Sequence, residues 1–227
     1  MRPAGEPRIS VYVWDPVVRI THWVIVLTIL LLSATGFYLG RPFAAPHTHP
    51  FLTGWVKVVH FYGAMAFALA VLVRIIWMFV GTPWARWSQL VPASRQRIKD
   101  LFGTFQFYVF LKRDPPPCVG HNALAGATYV MIFGIYLAMI FTGFAIYGAS
   151  AAVGSPMRWL AFLGPLLGGL QTMRWIHHVG MWLLLGFMVH HIYSAWLMSR
   201  MERNATLDSI FTGFKALPNP DKEEHHG

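Results

Sequence analysis

The chain predicts an all-α membrane protein, a four-helix transmembrane bundle with both termini in the cytoplasm. Three observations carry that reading. Of its 227 residues 56% are hydrophobic and only 12% are charged, a balance that excludes an ordinary soluble domain. The apolar residues gather into four runs longer than the ~20 residues a helix needs to cross the hydrocarbon. Lys and Arg crowd the connections on one side of those runs and are sparse on the other.

Taken in order, residues 1–17 form a short polar arm, with Trp14 and Pro16 near the membrane surface. The first span is residues 18–39, with Arg19 and His22 at its start and no charge thereafter. A loop rich in Pro and His follows (RPFAAPHTHPFLTG). The second span, 54–80, holds Lys57 and His60 near its start and Arg74 in its last third. Residues 81–120 are the longest polar connection, and within them SRQRIKDLFGTFQFYVFLKR is amphipathic enough to lie along the membrane surface as a helix. The third span is 121–147, where Asn122 and His121 suit an N-cap and interface anchor. Next comes an apolar loop broken by Gly and Pro (GSPMRWLAFLGPLLGGL), read as a helix in the interface. The fourth span is 174–200, and 201–227 is a polar tail. The domain plan is thus an arm (1–17), a membrane domain (18–200) and a tail (201–227), with no internal repeat.

Orientation follows from the cations. With the N-terminus inside, fourteen Lys and Arg fall on the cytoplasmic side and only Arg41, Lys57, Arg158 and Arg174 outside. The net charge of +9 is therefore a topology signal rather than a nucleic-acid footprint. The N-terminus is polar and the first apolar run too long for a signal-peptide core, so no cleavable signal is expected. The expected location is the cytoplasmic (inner) membrane of a prokaryote, crossed several times.

Chemistry enters through the fourth span, RWIHHVGMWLLLGFMVHHIYSAWLMSR, which carries four histidines and no charge between its terminal arginines. Ionisable side chains inside such a helix are costly and mark function. His177 and His191 are 14 residues apart, which at about 100° per residue puts them on nearly one face, roughly 21 Å apart along the axis. That is too far for one metal ion and suits two haems stacked across a bilayer. His178 and His190 then line the site or support its ligands. The topology sorts the remaining histidines by depth. His60 and His177 each open a helix that starts outside, whereas His22 opens one that starts inside and His191 lies about four turns below His177. The pairs are His60 with His177 near the outer face and His22 with His191 near the inner face, two bis-histidine haems. A lone cysteine, Cys118, excludes a CxxCH attachment and a four-cysteine iron–sulfur cluster, so the haems are of the non-covalent b type. Arg19, Lys57 and Arg174 each stand three residues before one of these histidines, on the same face and on its water side, where they could pair with haem propionates.

The sequence resembles the cytochrome b subunit of membrane-bound NiFe hydrogenases over most of its length. The resemblance lies in RITHW (Arg19 to Trp23), GHNALAG (Gly120 to Gly126), RWIHHVGMW (Arg174 to Trp182) with HIY (His191 to Tyr193), and SIFTGFK (Ser209 to Lys215). It is similar also to the formate dehydrogenase membrane subunit. The resemblance implies one haem ligand each from the first and second helices and two from the fourth, hence His22, His60, His177 and His191; His190 is a departure from its pattern. It further implies a partnership with the iron–sulfur small subunit and the large subunit of a periplasmic hydrogenase. Electrons would pass to the outer haem, then the inner haem, then membrane quinone, with His190 and Tyr193 in the quinone's vicinity. No hydrogen-splitting site is expected in this chain, because the cysteines to hold nickel or iron are missing.

Three other readings compete. A formate dehydrogenase or thiosulfate reductase subunit would share the fold and differ in its electron donor. A free-standing di-haem cytochrome would not need the apolar outer loop near 150–172, which has the character of a docking surface. A metal-ion transporter should place acidic residues in the spans, and there are none between Asp15 and Asp100 or between Asp114 and Glu202.

Overall fold

A computed structural model of the chain describes residues 8–42, 51–114, 116, 122–202 and 205–218. The sequence readings for Cys118 and His121 lie outside the described residues. Among the described residues four helices are long and apolar enough to cross a membrane: α1 (Pro16–Gly40), α2 (Leu52–Val80), α4 (Ala123–Ser150) and α6 (Leu170–Glu202). Each begins and ends within about a turn of the span expected from sequence. Between α2 and α4 lies α3 (Arg95–Tyr108), and between α4 and α6 a 3₁₀ stretch (Pro156–Phe162) runs into a four-residue α5 (Leu163–Leu166). The short α7 (Thr206–Thr212) follows α6.

The start of α1 shows why these boundaries fall where they do. Pro16 occupies the first helical position, where its missing N–H costs nothing. Asp15 caps it by accepting the Val18 N–H at 3.0 Å. Asn122 caps α4 in the same way, its Oδ1 accepting Ala125 N–H at 2.7 Å. Ser94 caps α3 through the Arg97 N–H. The loop before α6 breaks at Gly168 and Gly169, which take φ of 83° and 89°, so the interfacial helix expected there is interrupted.

The fold is mostly helical, but an all-α description misses a two-stranded antiparallel sheet. β1 (Arg8–Tyr12) pairs with β2 (Phe214–Pro218), Arg8 opposite Pro218 and Tyr12 opposite Phe214. Five alternating residues in an arm are a weak strand signal, and the partner strand lies some two hundred residues further along the chain.

The described residues form two compact units. The first comprises the described parts of Met1–Ile20, Arg74–Met131 and Met188–Gly227. Its centre is the Asp15 carboxylate, which is buried and accepts from the Trp77 indole at 2.8 Å and the Thr82 hydroxyl at 3.0 Å as well as from Val18. Arg74, also buried, lies within electrostatic reach of Asp15 and donates to the Ala85 carbonyl at 3.3 Å. Around this polar knot Val13, Trp14, Val18 and Ala85 form an apolar cluster. The C-terminal segment closes over it: Trp14 donates to Ser209, the Lys215 ammonium sits 5.6 Å from the Trp14 ring, and the Gly213 carbonyl accepts from both Val13 and Trp14. Arg97 holds the Gln89 carbonyl, and Gly126 of α4 packs against the same loop so closely that a Cβ would stand 2.7 Å from the Leu90 oxygen.

The second unit, Thr21–Val73 with Ile132–Phe187, is a closed ring of four helix segments. α1 meets α2 where Leu31 and Leu32 cover Gly63. α2 meets α4 through stacked Phe61 and Tyr147, 4.5 Å apart, and through Phe67 edge-on to Tyr136 at 5.2 Å. Met139 of α4 covers Gly180 of α6, and Phe37 of α1 meets Trp182 of α6 at 5.3 Å. Small residues let these backbones approach, as in other membrane bundles.

Candidate functional site

His60 on α2 and His177 on α6 belong to the second unit, and their rings lie within electrostatic reach of each other. Both are part-buried, and each is held through Nδ1 by a threonine of another helix. Thr35 Oγ1 on α1 is 2.8 Å from His60 Nδ1, and Thr142 Oγ1 on α4 is 2.9 Å from His177 Nδ1. Each hydroxyl spends its own proton on its helix, Thr35 on the Leu31 carbonyl at 2.8 Å and Thr142 on the Ala138 carbonyl at 2.6 Å. With that proton committed, each threonine oxygen is placed to accept from an imidazole in the tautomer that carries its proton on Nδ1. In that tautomer Nε2 is the lone-pair nitrogen on both rings, as a metal-binding histidine needs.

The residue after each threonine completes the arrangement. A Cβ on Gly143 would meet His177 Cε1 at 3.1 Å, and one on Gly36 would meet His60 Cε1 at 3.6 Å. The tripeptide Thr-Gly-Phe thus recurs at 35–37 and 142–144, each copy gripping a histidine of a different helix. These threonines were missed by sequence reasoning; the shared tripeptide was only a partial signal, since it also occurs at 212–214.

The two histidine doublets of α6 divide in the same manner. His178, exposed, donates Nδ1–H to the Arg174 carbonyl on its own helix at 2.8 Å, while His177 reaches across to α4. In the first unit, His190 is exposed with its Nδ1 3.3 Å from Ser194 one turn on, while His191 is part-buried and has its Nδ1 3.4 Å from the Tyr129 hydroxyl of α4. One member of each doublet is satisfied locally; the other is oriented from α4, a helix that itself presents no candidate ligand. His22, on α1, is part-buried with its ring edge-on to Trp23 at 5.2 Å. His22 and His191 fall in different units.

The three cations differ in situation. Arg19 donates to the Phe211 carbonyl and so ties α1 to the C-terminal segment. Lys57 and Arg174 are exposed. His178 Nε2 stands 3.1 Å from where a Cβ on Gly40 would be. Tyr108 of α3 lies edge-on to His190, 6.4 Å between centroids, and exposed Tyr193 lies 6.3 Å from Trp196.

The donor chemistry fits a haem. Among the described residues no three His, Cys, Asp or Glu side chains converge as a chelate would require. His60 and His177, each with Nδ1 anchored on a threonine of another helix, are the kind of imidazole pair that could hold a haem iron.

Comparison with known proteins agrees. The family described as prokaryotic cytochrome b561 matches residues 13–213. The chain belongs to that family. Among curated relatives of this cytochrome, one from Cupriavidus necator is 35% identical over 94% of this chain and 90% of its own length. One from Bradyrhizobium diazoefficiens is 34% identical, covering 93% and 87%. One from Escherichia coli K12 is 30% identical, covering 95% of each. The first two are named "Probable Ni/Fe-hydrogenase B-type cytochrome subunit", and the third "Probable Ni/Fe-hydrogenase 1 B-type cytochrome subunit". With its four long apolar helices, this member of the cytochrome b561 family is a multi-pass integral membrane protein of electron transport.

Proposed function

We propose that the chain is the membrane cytochrome b subunit of a NiFe hydrogenase complex in the cytoplasmic membrane. In this reading it binds two haem b groups and links the iron–sulfur small subunit of a periplasmic catalytic pair to the quinone pool. The observation that carries the reading is the matched anchoring of His60 and His177 by Thr35 and Thr142, which supports both as ligands of the outer haem. The second pair, His22 and His191, rests on their depth along the helices and on the resemblance. Tyr129 beside His191 and the local satisfaction of His190 support His191 as the ligand of its doublet. When bound, the haems supply two one-electron carriers between an iron–sulfur donor and a two-electron quinone. The protein's part is to fix the imidazoles, exclude water with an apolar bundle and keep the carriers at separate depths. Lys57 and Arg174, exposed at the outer helix ends, suit propionate partners there. Arg19, engaged with the Phe211 carbonyl, suits that role less. His190, Tyr193 and, from α3, Tyr108 are the residues we place near the quinone. The relatives' names support hydrogenase, rather than formate dehydrogenase, as the donor.

The test is a reduced-minus-oxidised spectrum with pyridine haemochrome quantitation on the purified complex. Two b-type haems per chain are expected. Alanine at His60 or His177 should remove one haem, and alanine at His22 or His191 the other. A wild-type complex without haem overturns the proposal.

A further inference from the structure

Resting on the reading of His60 and His177 as ligands of one haem, we propose that Thr35 and Thr142 are positioning residues that set that haem's reduction potential. The two residues do the same thing from different helices. Each hydroxyl is locked by donation to the carbonyl four residues earlier, so its lone pair faces one imidazole, at 2.8 Å from His60 and 2.9 Å from His177. A hydroxyl whose proton is already committed is polarised into a better acceptor. An imidazole that donates strongly through Nδ1 is more basic at Nε2, and stronger donation to iron stabilises the ferric state and lowers the potential.

The neighbouring histidine shows that this orientation is imposed rather than a default. His178 sits beside His177 on the same helix, and its Nδ1 turns back to the carbonyl four residues earlier. His177 instead crosses to α4, where Gly143 leaves its ring room: a Cβ there would be 3.1 Å from Cε1. The hydroxyl pulls the ring and the glycine admits it. In the first unit the Tyr129 oxygen is 3.4 Å from His191, a longer contact than either threonine makes.

The experiment replaces each threonine by valine, which keeps the branched shape and exchanges the hydroxyl for a methyl group. It is done in the purified complex carrying His191→Ala, where the outer haem alone remains. The readouts are haem content by pyridine haemochrome, midpoint potential by redox titration, and the ferric low-spin electron paramagnetic resonance spectrum. Thr142→Val and Thr35→Val should each raise the potential and change the resonance anisotropy, and Thr142→Ser should restore both. Haem loss in Thr142→Val that Thr142→Ser repairs supports the same role. Valine variants that keep one haem with unchanged potential and resonance overturn the proposal. If His60→Ala and His177→Ala leave haem content untouched, it is the ligand reading beneath it that has failed.

Discussion

The indole Nε1 of Trp14 donates a 3.0 Å hydrogen bond to the hydroxyl of Ser209, joining residues 195 positions apart. Ser209 is 1% exposed and passes its own proton to the Thr206 carbonyl at 2.7 Å. The pair pins the C-terminal segment against the start of α1, together with the β1–β2 ladder and the Arg19 bond to Phe211. Ser209→Ala leaves a buried indole N–H without its acceptor, at a cost of about 1–3 kcal/mol. The variant should lose protease resistance and hydrogen-exchange protection first in residues 205–218. Unchanged protection there would show that the strand ladder alone holds the segment.

Asp15 caps α1 and receives Trp77 and Thr82 at once, so its loss should destabilise more than an ordinary cap. Asp15→Ala is expected to cost on the order of 3 kcal/mol, as a lowered thermal midpoint in detergent. Asp15→Asn keeps one acceptor oxygen and should fall between the two. An alanine variant as stable as the wild type would mean water replaces these bonds.

The two glycines beside the threonines should respond differently to alanine. In Gly143→Ala the new methyl stands 3.1 Å from His177 Cε1, close enough that ring or helix must yield by a few tenths of an ångström. In Gly36→Ala the methyl meets His60 Cε1 at 3.6 Å, an ordinary contact. We expect an altered ferric resonance for one haem in Gly143→Ala and the wild-type spectrum in Gly36→Ala. Equal spectra would show that the ring has slack.

Gly126 faces backbone, which cannot swing away. A Cβ there would be 2.7 Å from the Leu90 oxygen and 3.0 Å from that of Gln89. Gly126→Ala should cost about 1–3 kcal/mol by overpacking, read as a lower thermal midpoint. Gly134→Ala on the same helix, with nothing within 4 Å, should leave the midpoint unchanged.

Much of the architecture was legible in the residues because membrane helices obey few rules. Length and apolarity mark the four spans, and a 3.6-residue turn places His177 and His191 on one face. The cap at Asn122 was readable too, whereas the Asp15 cap of α1 came from the structure. The β1–β2 pairing was not, since strand partners so far apart in the chain leave no local trace. The threonine grips were hidden for another reason. Thr-Gly-Phe occurs a third time, at 212–214, where Gly213 has φ 90° and ends α7, so the tripeptide alone does not mark a histidine cradle.

By itself the sequence determined that the chain is a four-span membrane protein with histidines at set positions along its helices. Hydrophobic length and helical period are properties of each segment alone. Only the tertiary structure decided which imidazole of each doublet is turned across the bundle and which atom its Nδ1 meets. A helix fixes where a side chain leaves the backbone, but its final rotation depends on the atom that meets it, and for His60, His177 and His191 that atom belongs to another helix.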